Sequence, residues 1–176
     1  MRAEPGKDYF ELFGLPVAYD VDPADLTARY RALQGRVHPD RFAGASDTER
    51  RLSLQLTTLI NEAFQVLKDP VRRGRYLLEL RGVAMDDAGD TVVDPAFLAE
   101  QMELRERLEQ LRAGPDPRRR LDELAGDLAR RLQAKGDEFR GLYSRGEANR
   151  ARTAVREMQF LDKLRREIED LEAELT

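Results

Sequence analysis

Apolar residues recur at intervals of three or four positions through long stretches of this sequence. The stripe nearest the C-terminus consists of Leu161, Leu164, Ile168, Leu171 and Leu175. An α-helix turns once in about 3.6 residues, so side chains at this spacing lie along one face of a helix. A helix buries such a face by packing it against other apolar faces. The pattern therefore predicts a bundle of helices.

Three helical patterns fill the second half of the chain, at about residues 95–112, 117–144 and 147–174. The sequences AGPDP and SRGE separate them, and proline and glycine are common at such breaks. The middle pattern carries its own apolar stripe, which consists of Leu121, Leu124, Leu128, Leu132, Phe139 and Leu142. These patterns predict a three-helix bundle of long antiparallel helices over residues 95–176.

The first part of the chain predicts an antiparallel helical hairpin with further short helices. Its first helix should enter at Asp22, with Pro23 in the first turn, and should bury one face. That face consists of Leu26, Tyr30, Leu33 and Val37. The second helix, which Asp47 should cap, carries an apolar stripe of Leu52, Leu56, Leu59, Ile60, Ala63, Phe64 and Leu67. A short helix in VRRGRYLLELRG should follow it.

A polar stretch separates the two halves. The sequence GVAMDDAGDTVVDP contains glycine and several aspartates and has no helical period. Few contacts cross a stretch of this composition, which is typical of a boundary between domains. We therefore predict an all-α protein with a first domain at residues 1–81, a linker at 82–94 and a helical bundle at 95–176.

Composition restricts the chemistry that the chain can perform. It contains no cysteine, which excludes disulfides, thiolate metal sites and cysteine nucleophiles. The net charge of −4 does not indicate nucleic-acid binding. The N-terminal sequence MRAEPGKDYF has no apolar signal segment, and no apolar run approaches the ~20 residues of a membrane-spanning helix. These features predict a cytoplasmic protein without a membrane segment.

The single histidine, His38, is followed directly by Pro39 and Asp40 in the sequence VHPDRF. A histidine close to a carboxylate can serve acid–base catalysis or bind a metal. One histidine without cysteines makes a poor metal site, and the chain has no nucleophile elbow of the type G-x-S-x-G. Pro39 disfavours the helical conformation at His38, so the first helix should end there. A histidine that merely stabilises a helix C-terminus is the alternative.

The surroundings of His38 carry a resemblance to a known family. The motif lies in the loop between two amphipathic helices, after DYFELFGLP and before INEAFQVLKDPVRRGRY. With these segments, residues 8–80 resemble the J-domain of DnaJ-type co-chaperones. The segments FLAEQMELRERLE (97–109) and FLDKLR (160–165) extend the resemblance to the HscB family, J-domain co-chaperones of bacterial iron–sulfur cluster assembly.

The resemblance implies a protein that is not an enzyme and needs no cofactor. Its J-domain would stimulate the ATPase of a DnaK-type chaperone, HscA, and its C-terminal domain would bind and deliver the cluster scaffold IscU. The chaperone contact implied by the family consists of His38, Pro39 and Asp40. Around it, a basic surface that attracts an acidic partner would consist of Arg29, Arg31, Arg36 and Arg41. An ordinary solvated helix face is the alternative for these arginines.

The helix at 95–112 offers a clue that does not depend on the J-domain. Its packing seam consists of Phe97, Leu104, Leu108 and Leu111. Leu98 and Met102 lie off this seam, with Glu103 and Glu106 beside them, which predicts an exposed patch for a protein partner. Burial under a neighbouring helix is the alternative.

The family's scaffold-binding surface corresponds here to Leu98, Met102, Glu103, Glu106 and Phe160. Ala99 and Gln110 depart from the family's pattern, in which we expect a larger apolar residue and an acidic residue.

Two other functions compete with this interpretation. One is a J-domain co-chaperone that serves a different client. The other is a helical nucleic-acid-binding protein, suggested by PRRR at 117–120 and by arginine pairs at 130–131 and 165–166. Acidic residues interleave with these arginines and no aromatic stacking platform accompanies them, which disfavours nucleic acid as the ligand.

Overall fold

The computed structural model describes residues 8–85, 94–113 and 117–174. Over these ranges the predicted all-α fold is confirmed, with no β-strand. The α-helices are α1 (Tyr9–Phe13), α2 (Pro23–Val37), α3 (Asp47–Lys68), α4 (Pro70–Leu80), α5 (Pro95–Ala113), α6 (Pro117–Ser144) and α7 (Ala148–Glu174), and a 3-10 helix (Pro39–Phe42) lies between α2 and α3. Among the helices in the described ranges, none is long and apolar enough to cross a bilayer.

The chain divides into two compact units, Met1–Leu80 and Arg81–Thr176. In the first unit α2 and α3 form the predicted hairpin, and α1 and α4 both pack against α3. The Asp22 side chain caps α2 by accepting a hydrogen bond of 2.8 Å from the Ala24 backbone N–H. The most deeply buried side chains of this unit are Phe10, Leu26, Ile60, Leu67, Leu77 and Leu78.

The prediction that Leu52 belongs to the buried apolar stripe of α3 is wrong. Leu52 is exposed, and its neighbour Ser53 is buried, with 2% of its surface accessible. The first turns of α3 lie against the end of α2, where backbone carbonyls lack helical partners. The Ser53 hydroxyl donates a hydrogen bond of 2.5 Å to the Val37 carbonyl. A polar side chain therefore occupies the buried position that periodicity assigned to a leucine.

The predicted cap of α3 is also displaced by one residue. Asp47 is the first residue of the helix, and its carboxylate pairs with Arg50. Ser46 is the cap, because its hydroxyl accepts a hydrogen bond from the Glu49 N–H at 3.3 Å. The Glu49 carboxylate accepts a reciprocal bond of 2.9 Å from the Ser46 N–H, which completes a capping box. The Ser46 hydroxyl also donates a hydrogen bond of 2.7 Å to the Glu49 carboxylate, and this bond, together with the one from the Ser46 N–H, lowers the pKa of Glu49.

In the second unit, α6 and α7 are antiparallel partners joined by a tight turn, and α5 packs on α6. Gly146 forms this turn with a φ of 73°, a left-handed conformation that favours glycine. Buried leucines and one isoleucine from all three helices make a single core: Leu104, Leu108, Leu111, Leu121, Leu124, Leu128, Leu161, Leu164 and Ile168. The predicted stripes therefore meet, with Leu132 and Leu171 at the edge of this core. Leu175 lies outside the described residues.

The second unit begins before the helical bundle does. The Arg81 guanidinium lies 3.5 Å from the centre of the Tyr143 ring and donates a hydrogen bond of 2.6 Å to the Tyr143 carbonyl. Met85 is buried as well. Arg81, which directly precedes the predicted linker, therefore contacts the end of α6. Residues 86–93 of the linker lie outside the described residues.

Replacing Ser46 by alanine should lower the free energy of unfolding of the first unit by about 1 kcal/mol, because the Glu49 N–H loses its side-chain acceptor. Thr48→Ala is the matched control, since Thr48 is exposed in the same helical turn and should not lose stability. Urea unfolding followed through NMR amide signals of α3 measures this unit alone. Equal destabilisation by both variants would contradict the role of the capping box.

Candidate functional site

The loop that contains His38 is shaped by the end of α2. Pro39 disfavours a helical conformation in the preceding residue, and α2 ends at Val37 as predicted. His38 has φ −55° and ψ 130°, and the chain then enters the 3-10 helix. The Arg41 N–H donates to the His38 carbonyl at 3.0 Å. His38, Pro39 and Asp40, defined here as the HPD loop, therefore form a turn held by backbone bonds.

The His38 imidazole takes part in this turn through one nitrogen. Its Nδ1 accepts a hydrogen bond of 3.3 Å from the Asp40 N–H, which leaves Nε2 to face a partner. The same atom lies 3.5 Å from Asp40 Oδ2, an ion pair only when the imidazole is protonated. Both side chains are exposed. The loop thus offers a partner the N–H donor at Nε2 and the carboxylate acceptor of Asp40.

Side chains outside the loop hold its first end in place. The Val37 carbonyl accepts the Ser53 hydrogen bond and a longer one of 3.4 Å from Thr57, and Arg41 Nη1 donates to the Gly35 carbonyl at 2.7 Å. Sequence reasoning missed Ser53 and Thr57. The one available signal was a pair of hydroxyl residues, four positions apart, at the start of an apolar stripe.

The four arginines predicted to form a basic surface divide into two pairs. Arg29 is half-buried, donates to both Asp25 carboxylate oxygens at 2.9 Å, and donates to the carbonyls of Phe13 and Gly14 at 3.0 Å. It therefore fastens the end of α1 to α2. Arg41 is bonded to Gly35, as described above.

Arg31 and Arg36 form the other pair. Both are exposed, and neither forms a hydrogen bond or ion pair within the part of the chain that the structure describes. Arg41 is exposed as well, and its bond to the neutral Gly35 carbonyl leaves its charge in place, so Arg31, Arg36 and Arg41 all contribute exposed positive charge around the HPD loop.

The second candidate surface lies on α5. Leu104, Leu108 and Leu111 are buried, as the predicted seam requires, and Phe97 is half-buried. The predicted exposure of Leu98 and Met102 is confirmed, with 48% and 68% of their surfaces accessible. Two large apolar side chains one turn apart on an open helix face lose ordered water when a partner covers them, which favours binding.

Polar residues follow these two side chains along α5. Glu103 and Glu106 are exposed, and the Glu103 carboxylate lies 3.8 Å from the guanidinium groups of both Arg107 and Arg131. Gln110, where an acidic residue was expected, donates to Glu106 at 3.2 Å. Ala99 is exposed.

Phe160 of α7 is half-buried and meets Phe97 edge-to-face, with ring centres 5.6 Å apart. The sequence predicts scaffold binding at five residues, which we call the scaffold face: Leu98, Met102, Glu103, Glu106 and Phe160.

Comparisons with known proteins agree with both units. Residues 93–169 match the family described as the HSCB C-terminal oligomerisation domain. The co-chaperone protein HscB homolog of Vibrio cholerae serotype O1 is 41% identical over 168 residues, which are 96% of this chain and 98% of that protein.

Two solved structures are similar over nearly the whole chain. Chaperone HscB from Vibrio cholerae has a TM-score of 0.86 at 40% identity, covering 97% of this chain and all of that one. Human co-chaperone protein HscB has a TM-score of 0.85 at 30% identity, covering 94% of this chain and 82% of that one.

Both solved structures consist of an N-terminal J-domain followed by a C-terminal helical domain, so this chain has the fold of a J-type co-chaperone. More narrowly, the chain belongs to the HscB family, co-chaperones of iron–sulfur cluster assembly. The relatives are named as co-chaperones rather than as enzymes.

Replacing Ser53 by alanine should loosen the HPD loop, because the Val37 carbonyl would keep only the longer bond from Thr57. We expect a loss of about 1 kcal/mol in the free energy of unfolding and faster hydrogen exchange at the Arg41 amide. Thr58→Ala is the control, since the Thr58 hydroxyl is exposed and bonds only to Leu54 in its own helix. Unchanged exchange at Arg41 in Ser53→Ala would contradict the supporting role of Ser53.

Proposed function

We propose that this protein links a DnaK-type chaperone, HscA, to the iron–sulfur scaffold IscU in the cytoplasm. Residues 1–81 would stimulate the ATPase of the chaperone, residues 95–176 would bind and deliver the scaffold, and residues 82–94 would connect the two activities. The observation that supports this most strongly is the exposed apolar pair Leu98 and Met102, present in the same chain as an HPD loop.

The HPD loop suits a contact with a protein partner. Pro39 restricts the backbone and the turn is already hydrogen-bonded, so little conformational entropy remains to be lost on binding. His38 Nε2 can donate a hydrogen bond, and the Asp40 carboxylate can accept a charge-assisted one from a guanidinium.

Arg31 and Arg36 would attract an acidic surface and increase the rate of encounter. Arg29 and Arg41, whose bonds lie within the unit, would act mainly by holding α1 and the loop in place.

The scaffold face suits a partner of a different kind. Leu98 and Met102 would enter an apolar depression, while the carboxylates of Glu103 and Glu106 would meet cationic side chains around it. Phe160 adds a partly exposed aromatic edge from α7 beside this pair. A co-chaperone for another client would carry the same HPD loop, so binding of a cluster scaffold at this face distinguishes the two functions.

The nucleic-acid alternative has little support. The arginine pairs that suggested it are engaged in ion pairs along their helices: Arg130 with Asp127 at 3.4 Å, and Arg166 with Asp162 at 2.8 Å. Arg165 also pairs with Asp162, at 2.7 Å. Phosphate groups would have to compete with these carboxylates at each position.

Replacing His38 by glutamine should abolish stimulation of the partner chaperone's ATPase and leave the fold intact, because an exposed loop side chain adds little to stability. Single-turnover ATP hydrolysis by HscA, with and without the variant, measures the effect. The scaffold affinity of the variant, measured by calorimetry, should equal that of the wild type. Full stimulation by the folded variant would reject the proposed role of the loop.

Replacing both Leu98 and Met102 by alanine should weaken IscU binding at least tenfold. Each side chain supplies ~1.5–3 kcal/mol when fully buried, and about 1.4 kcal/mol corresponds to a factor of ten. The melting temperature should hardly change, since no core cavity is created. Leu54→Ala is the matched control, because Leu54 is an equally exposed leucine on α3. Unchanged binding of IscU by the double variant would rule out the scaffold face.

A further inference from the structure

Four charged side chains join α5 to α6 beside the scaffold face. Arg131 of α6 donates a hydrogen bond of 2.6 Å to Glu100 of α5. A second nitrogen of the same guanidinium lies 3.3 Å from Asp127 and 3.8 Å from Glu103. Arg107 of α5 completes the network with a hydrogen bond of 2.8 Å to Asp127. We call Glu100, Arg107, Asp127 and Arg131 the α5–α6 ion network.

The central groups of the network are partly withdrawn from water, as are those of the Lys135–Glu157 pair that joins α6 to α7. The Arg131 side chain is 28% exposed, and Glu100 and Asp127 are less exposed still. Partly buried pairs are screened less by salt than exposed pairs.

The pKa directions agree with this geometry. The hydrogen bond to Glu100 raises the pKa of Arg131 despite partial burial. Burial favours the neutral form of Asp127, but hydrogen bonds from Arg107 and Arg131 outweigh it and lower the pKa of that carboxyl.

The bond from Arg131 to Glu100 acts on the first turns of α5, which the apolar core holds least. The buried leucines of this helix, Leu104, Leu108 and Leu111, lie at its middle and in its second half. In the first half Phe97 is only half-buried, while Leu98 and Met102 are exposed. Glu100 stands between Leu98 and Met102 in the sequence, so its bond to Arg131 fixes the helical turn that carries both of them.

We propose that Arg131 is a positioning residue for scaffold binding: it touches no partner itself but holds the first turns of α5 against α6, so that Leu98 and Met102 stand in a binding-competent arrangement. This proposal rests on the proposed function of the scaffold face. Arg131 holds Glu100 by the short bond of 2.6 Å and engages the Glu103 carboxylate only loosely, at 3.8 Å.

The expected size of the effect follows from a population argument. A partner that binds only the ordered form sees its affinity reduced by the fraction of molecules in that form. If removal of the guanidinium leaves the first turns of α5 ordered in about one molecule in five to ten, the affinity for IscU falls by about five- to tenfold. The buried half of α5 and the pairing of α6 with α7 should be unaffected.

Arg131→Met tests the proposal, because methionine keeps an apolar stem of similar length and removes every donor. Arg130→Met is the matched control: it makes the same change one residue away, at a side chain that is 76% exposed, and it removes only the 3.4 Å contact to Asp127 while the bonds from Arg131 to Glu100 and from Arg107 to Asp127 stay in place. Arg131→Lys keeps the charge but not the fork of donors, and should have an intermediate affinity. Calorimetric titration with IscU measures affinity, and hydrogen exchange of the free protein measures the order of α5.

The proposal predicts that Arg131→Met weakens IscU binding about five- to tenfold and accelerates exchange only at amides 97–104. It also predicts that Arg130→Met matches the wild type. Wild-type affinity in Arg131→Met would overturn it, as would an equal loss in Arg130→Met, which would show a general effect of charge. Faster exchange throughout α6 and α7 would overturn it as well, because Arg131 would then be an ordinary stabilising residue.

Failure of the proposed function gives a different result. If the wild-type protein does not bind IscU, the scaffold face has another partner. Exchange at amides 97–104 of the free variants then still decides whether Arg131 holds the start of α5.

Discussion

The geometry of the first unit depends on the point at which α2 stops. Proline at position 39 denies His38 the helical conformation, so the last carbonyls of α2 have no partners within the helix. The structure supplies those partners from elsewhere, through Ser53 and Thr57 of α3 and the guanidinium of Arg41. The same bonds that satisfy these carbonyls also close the hairpin and fix the exposed HPD loop. Folding of the hairpin and the proposed chaperone contact therefore depend on one small set of hydrogen bonds.

Periodicity predicted the helices and the core of the second unit because burial of apolar surface dominates both. The three long helices occupy the predicted ranges within a few residues, and the seam of α5 contains the leucines that spacing indicated. The exposure of Leu98 and Met102 followed from the same argument, since a helix can turn only one face to its neighbours. The helices with their core and the exposed apolar pair could therefore both be predicted, because the apolar pattern of the sequence determines them.

The errors occurred where backbone polar groups decide the outcome. Ser53, not Leu52, is buried beside the end of α2, because its hydroxyl donates a hydrogen bond to the Val37 carbonyl there. Arg29 lies on the predicted basic face of α2, yet it bonds to carbonyls of Phe13 and Gly14. Neither result follows from helical spacing, because each depends on where another element ends in space. The α5–α6 ion network was unforeseen for the same reason.

The edge-to-face contact between Phe97 and Phe160 would couple the binding of a partner at the scaffold face to the stability of the second unit. These rings belong to α5 and α7, which are far apart in the sequence, and each is only half-buried. A protein that covers Leu98 together with the edge of Phe160 would bridge the first and last helices of the unit and act as a clamp on its fold. By linkage, such a partner stabilises the folded form in proportion to the logarithm of its concentration. Binding of a partner at this face would then raise the melting temperature of the whole bundle.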